Sequence, residues 1–240
     1  MRWNTMFGLV SLIILSLVAY QAKAAEIGWD AEKFTQKNGT ALQVLKPPFK
    51  TANSTGVEFE IAKAYGSAFI GEPNGGIADS SGSWLKYAFS APVAGDWYFW
   101  GRIIGPDDAD DSFFWGIDIA DADAQPADTD KTNIWDFNES GNLPLGDPTT
   151  VDRTQWIWFR LSSRTGPFPG FPGIDYSNPT PLPLTAGTHT LHIIHREGGV
   201  YLDAIFATTN KAFDANQTAP IPVEPKGKLA TTWGNLKQER

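Results

Sequence analysis

Ala94-Gly95-Asp96-Trp97-Tyr98-Phe99-Trp100-Gly101-Arg102-Ile103-Ile104 is the stretch on which the fold turns. Trp97, Phe99 and Ile103 recur at every second position, with Tyr98, Trp100 and Arg102 between them. Side chains alternate across a strand with a period of two, so the first set shares one face and the second set the other. Pro92 and Ala94-Gly95-Asp96 supply a turn just before it. The spacing predicts a strand over Trp97–Ile104 whose Trp97/Phe99/Ile103 face lies in a core.

The same pattern extends in both directions. Upstream, Val57–Ala62 is a strand candidate, and Ser83–Phe89 alternates Leu85, Tyr87 and Phe89 against Trp84, Lys86 and Ala88. Downstream, an acidic loop over Gly105–Asp110 leads to a strand over Ser112–Ile119, with Phe113, Trp115 and Ile117 on one side. Gln155–Leu161 is another strand. Thr188–Arg196 and Val200–Thr208 are expected to close the domain as a hairpin over Glu197-Gly198-Gly199. Helix signals are few. Many short alternating strands separated by Gly, Pro, Asn and Asp predict an all-β, antiparallel two-sheet sandwich of the jelly-roll type. Trp97, Phe99, Phe113, Trp115, Leu191 and Ile193 are its expected core.

The two ends of the chain read differently. Arg2, the apolar run Phe7–Ala19 and the small-x-small site Ala22-Lys23-Ala24 make residues 1–24 a secretory signal peptide. The run is shorter than the roughly 20 residues that span a bilayer, and no later stretch is long enough to cross one. Residues 25–213 form the predicted domain. Residues 214–240 form a Pro-rich linker, Ala219–Pro225, and a short basic tail around Thr231-Thr232-Trp233-Gly234 that either is disordered or docks on a surface partner. The mature chain is expected outside the cell, at its surface or in a periplasm.

Composition narrows the function. The 240 residues carry ten Trp, six Tyr, fifteen Phe and no Cys, with a net charge of −8. Loss of Arg2 and Lys23 with the signal takes the charge to about −10. An acidic chain is a poor phosphate binder, which excludes general nucleic-acid binding. The absence of Cys excludes a disulfide scaffold, a thiol nucleophile and a Cys-ligated zinc. No Gly-x-Ser-x-Gly, His-Glu-x-x-His or phosphate loop is present, so the chain reads as a non-enzyme. A polysaccharide-cleaving enzyme would need a catalytic cleft, for which this length leaves little room.

Four stretches, in order and on predicted strands, carry a resemblance. Ala94–Arg102, Asp111–Trp115, Thr185–Leu191 and Arg196–Asp203 are similar to successive strands of jelly-roll carbohydrate-binding modules of the galactose-binding-like superfamily, in the broad group around families 6, 16 and 35. Asp30-Ala31-Glu32 resembles the acidic opening of such modules. The resemblance covers roughly residues 27–210. It implies a β-sandwich that binds carbohydrate, and a structural Ca²⁺ held by Asp30, Glu32 and Asp203; Ca²⁺ takes hard oxygen ligands. Otherwise Asp30 is an ordinary turn residue and no metal binds. The acidic run Asp107–Asp111 is a weaker metal candidate.

Sugars present C–H faces that stack on indoles, and hydroxyls that pair with charged side chains. Trp100 and Arg102 share a face, as do Trp156, Trp158 and Arg160. Trp135 sits in an expected loop, Asn133–Asn138. Trp100, Trp135 and Trp158 are therefore the expected exposed or cleft indoles, against the alternative that they are core. Arg102, Asp111, Arg196 and Glu197 hold either sugar hydroxyls or the fold. His189, His192 and His195 do not share one strand face, so a single metal does not gather them easily. A carbohydrate-binding module is the leading reading; a cell-surface or matrix protein that uses the sandwich for protein contact is the alternative.

Overall fold

The computed structural model describes residues 24–73, 79–127, 131–137, 152–162 and 181–217. Most of the expected signal segment, Asn138, the Pro/Gly-rich loop around Gly166–Gly173, and the linker and tail from 218 onward lie outside the described residues. Among the described residues the strands are, in chain order, β1 (Glu26–Asp30), β2 (Gln36–Asn38), β3 (Gln43–Leu45), β4 (Phe49–Ala52), β5 (Glu58–Ile61), β6 (Phe69–Gly71), β7 (Trp84–Ala91), β8 (Gly95–Ile104), β9 (Ser112–Ile117), β10 (Asn133–Asp136), β11 (Ile157–Arg160), β12 (Leu182–Leu184), β13 (Gly187–Ile194) and β14 (Tyr201–Thr208). No helix among the described residues is long and apolar enough to cross a membrane.

The strands form two antiparallel sheets and a ribbon. The first sheet runs β11-β8-β14-β6-β3, with β12 also on β8 and β1 also on β14. The second runs β10-β9-β13-β7-β2, and β4 and β5 pair by themselves. The core lies between the sheets. Trp97, Phe99 and Ile103 of β8 meet Leu85, Tyr87 and Phe89 of β7 and Phe113 and Trp115 of β9, as the alternation predicts. Each such side chain contributes about 1.5–3 kcal/mol by leaving water.

Two local readings are corrected. Thr188–Arg196 and Val200–Thr208 do form strands, but not a hairpin. β13 pairs with β7 and β9 while β14 pairs with β1, β6 and β8, so the turn over Glu197-Gly198-Gly199 carries the chain from one sheet to the other. Both strands have an apolar face, and these faces pack across the sandwich instead of side by side. Asn133–Asp136 is a strand at the edge of the second sheet, paired with Ser112–Trp115, where a loop was expected.

The expected exposure of Trp100, Trp135 and Trp158 is overturned. Their relative exposures are 1%, 1% and 4%. Trp135 lies on β10 and points into the core: its indole N–H donates to the Arg160 carbonyl at 2.9 Å. Its ring lies so close to Gly101 that a Cβ there would come within 2.2 Å of it. Trp100 and Trp158 do face outward from the first sheet, but that face is roofed. Both indoles lie in one apolar cluster with Phe206, Phe213 and Ala215, the Phe213 ring meeting Trp100 at 6.4 Å and Phe206 at 5.0 Å, and Asn216 brackets the Trp158 backbone, accepting from its N–H at 3.0 Å and donating to its carbonyl at 2.8 Å. The Arg160 guanidinium lies over Trp100 at 4.5 Å. The second sheet has its own outer cluster of Trp84, Phe114, Ile134 and Ile194, closed by Ala124.

β14 carries the feature that sets up the outer face of the first sheet. Its register against β8 shifts between Leu202 and Ala204, which makes Asp203 the extra residue of a bulge. Leu202, Ile205 and Ala207 face the core, whereas Ala204 and Phe206 face outward. Strict alternation from Leu202 would have sent Ala204 inward.

Candidate functional site

The charged residues singled out in the sequence as site candidates gather at two places. On the outer face of the first sheet, Arg102 Nη1 donates to the fully buried Asp203 carboxylate. The Tyr65 backbone N–H donates to both Asp203 oxygens at 3.1 Å. The Arg102 guanidinium carbon lies 4.2 Å from the centre of the Tyr65 ring and 5.1 Å from that of Trp156. Neither aromatic was singled out as a site residue. Tyr65 comes from a loop with no strand pattern, and Trp156 reads as one more indole of an alternating strand.

β1 runs beside β14 with Asp30 opposite Ala204, which places Asp30 next to Asp203. Asp30 and Glu32 also come together over Gly66: a Cβ there would lie 2.9 Å from Glu32 Oε1 and 3.3 Å from Asp30 Oδ2. Glu32 Oε2 is buried with no hydrogen-bond partner among the described residues. An orphaned carboxylate oxygen beside a second carboxylate suits a hard cation. Asp203 suits one less, because its oxygens already serve Arg102 and Tyr65. No group of three His, Asp or Glu side chains among the described residues has a metal-holding arrangement.

The second place is one end of the sandwich, where the β8–β9 loop meets the β13–β14 turn. Glu197 Oε2 accepts from the Asp111 backbone N–H at 3.1 Å and from the Ser112 hydroxyl at 2.5 Å, while Oε1 pairs with Arg196. Arg196 also donates to the Ser112 hydroxyl. Arg153 clamps the acidic loop, donating to the Gly105 and Asp107 carbonyls and to Asp108. Asp107 is spent on the loop as well: it accepts from the Ser54 N–H and hydroxyl, each at 2.8 Å, and from the Ala109 N–H. Glu72, just after β6, reaches the turn, so close that a Cβ on Gly198 would lie 2.5 Å from Glu72 Oε2. Asp110, Arg196 and Glu197 are half-buried, and Asp111 is 4% exposed beneath them. The three histidines go to separate partners: His189 to Asp118, His192 to Asp121 and His195 to Ser81.

No protein-family model matches the chain, and no curated protein matches it in sequence. Many solved structures are similar to it, among them the following three. The C-terminal family 6 carbohydrate-binding module of a marine laminarinase from Zobellia galactanivorans shares 16% identity at a TM-score of 0.39, covering 77% of this chain and 99% of that one. A family 35 carbohydrate-binding module from Clostridium thermocellum shares 11% at 0.41, covering 77% and 98%. A Podospora anserina β-(1,4)-mannanase with a family 35 module shares 13% at 0.41, covering 76% of this chain and 27% of that one.

The loop end crowds its carboxyls. Burial, then the nearby Asp136 and Glu197 carboxylates, pushes Asp111 up to about 8. Burial, then Asp107 and Glu197, pushes Asp110 up to about 7. In the unfolded chain both groups lose their proton near the usual ~3.9. Between that value and about 8 the folded chain therefore holds more protons, and stability falls as pH rises through this window. Melting followed by circular dichroism is expected to show a lower Tm at pH 8.5 than at pH 6.5, and a smaller fall for Asp111→Asn. A Tm that rises over this interval would contradict the assignment.

Proposed function

We propose that the mature chain is an exported, non-catalytic module that binds poly- or oligosaccharide. The loop-end set of Asp110, Arg196 and Glu197 carries this reading. Sugar hydroxyls both donate and accept, and a ligand there would meet a guanidinium donor, carboxylate acceptors and, at Asp110, a carboxyl that gives up its proton only near pH 7. The set is pre-organised. Asp111 and Ser112 fix Glu197 from below, Arg153 holds the loop, and Gly199, at φ +72°, lets the turn reverse tightly. Asp111 thus acts on the ligand through Glu197. Export rests on the Arg2, Phe7–Ala19 and Ala22-Lys23-Ala24 pattern. The ordered set of module-like strands supports the carbohydrate class.

Affinity electrophoresis of the mature protein against plant, algal, microbial and animal polysaccharides tests this reading. Retention by at least one polysaccharide is expected, weakened about tenfold in Glu197→Gln, the loss of one charge-assisted contact of roughly 1.4 kcal/mol. A protein retained by none of them would overturn it.

A structural Ca²⁺ belongs to the same proposal, with Asp30 and Glu32 as its ligands and Asp203 staying on Arg102. The ion would neutralise two carboxylates that burial and mutual repulsion disfavour: burial first, and Asp30 in addition, pushes the Glu32 carboxyl above its usual range. Calcium at millimolar concentration is expected to raise the Tm of the wild type and to leave Glu32→Gln unchanged. An equal rise in both would place the ion elsewhere.

A further inference from the structure

Of the eight Trp between residues 25 and 213, Trp29, Trp84, Trp97, Trp100, Trp115, Trp135 and Trp158 are all buried. Trp156 alone among them is not. Among the described residues, the exposed large hydrophobic side chains are three valines and one aromatic, Tyr65, at 40%. The accessible indole and the exposed phenol flank the same guanidinium, that of Arg102. We propose that Tyr65 and Trp156, set around Arg102 on the outer face of the first sheet, form a second carbohydrate-stacking site, separate from the loop end.

Each part is held in place from behind. The Trp156 indole N–H donates to the Lys63 carbonyl at 2.5 Å, and the Phe69 ring meets its edge at 5.6 Å and 71°. The Tyr65 backbone is tied to Asp203, and its ring also leans on Trp158 at 6.1 Å. Arg102 commits Nη1 to Asp203, and its side chain keeps 18% exposure. Its other guanidinium nitrogens make no hydrogen bond to a described residue, and they are not among the buried polar atoms left unpaired. Donors are thus available at the surface between two aromatic rings. A pyranose ring matches that pattern: its axial C–H groups stack on a ring face, and its hydroxyls accept from a guanidinium. A folded protein partner matches it less well, since a stable protein interface covers about 800 Å² per partner around an apolar centre, whereas here the centre is a charge. Little ordering is needed on binding, because the aromatics and the guanidinium are already fixed.

This inference rests on the carbohydrate reading, and one experiment separates the two. Affinity electrophoresis in gels containing laminarin, galactomannan, xylan or hydroxyethylcellulose compares the wild type with Tyr65→Ala, Trp156→Ala, Trp156→Phe and Glu197→Gln. Circular dichroism and Tm accompany each variant. For at least one polysaccharide, Tyr65→Ala and Trp156→Ala are expected to weaken retention about 3- to 10-fold with the fold retained, and Trp156→Phe to recover part of the loss. Wild-type tryptophan fluorescence is expected to change on addition of the same polysaccharide, and the change to disappear in Trp156→Phe. If Glu197→Gln loses binding while both alanine variants bind like the wild type, the second site is wrong and the function stands. If the wild type is retained by none of the four, the stacking site falls together with the carbohydrate reading on these glycans.

Discussion

The outer face of the first sheet is organised by one buried ion pair, Arg102 with Asp203. A carboxylate with no exposure is costly unless it is paired and hydrogen-bonded, and Asp203 meets that condition with a guanidinium and a backbone N–H. The bulge in β14 makes this possible, because it leaves Asp203 as the one residue of the strand without an opposite number on β8. Removing Arg102 would strand the buried carboxylate, at a cost of roughly 3–5 kcal/mol. Burial still wins in part: Asp203 sits at about 6, raised by burial first against the pull of Arg102.

From that pair the surroundings follow outward. The N–H of Tyr65 that caps Asp203 brings the Tyr65 ring over Arg102, and Trp156 closes the other flank. Two apolar roofs border the pair. Phe206, Phe213 and Ala215 cover Trp100 and Trp158 on one side. Phe49, Phe59 and Ile61 of the ribbon pack with Phe69, Ile104 and Tyr201 on the other. What remains accessible is the strip between the roofs, where a charge prevents closure by apolar packing. The Asp30/Glu32 pair lies next to this strip, through β1 and Gly66.

Much of this was legible in the sequence, and the failures are physical. Alternation identified β7, β8 and β9 and their core faces, because each strand keeps a strict period of two. It also put Trp100, Arg102 and Trp158 on the outward face. It could not tell that the face is covered, since the cover comes from residues 213–216, more than fifty positions from Trp158 and without a strand pattern. Trp135 was misread because a four-residue edge strand rich in Asn and Asp resembles a loop. The β13–β14 connection was misread because a tight Gly-Gly turn serves a sheet-to-sheet crossing as well as a hairpin. Arg102, Asp203, Asp30 and Glu32 were singled out in the sequence, as were Asp111, Arg196 and Glu197. Their separation into two sites was not, because no linear spacing encodes it.

Seven indoles of the domain are enclosed and Trp156 is not. Oxidation of the folded mature protein by a limiting amount of N-bromosuccinimide, with the modified residues located by peptide mass mapping, tests it most directly. Trp156 is expected to be modified well before Trp29, Trp84, Trp97, Trp100, Trp115, Trp135 and Trp158. Modification of Trp100, Trp135 or Trp158 as fast as Trp156 would show that these indoles are not enclosed.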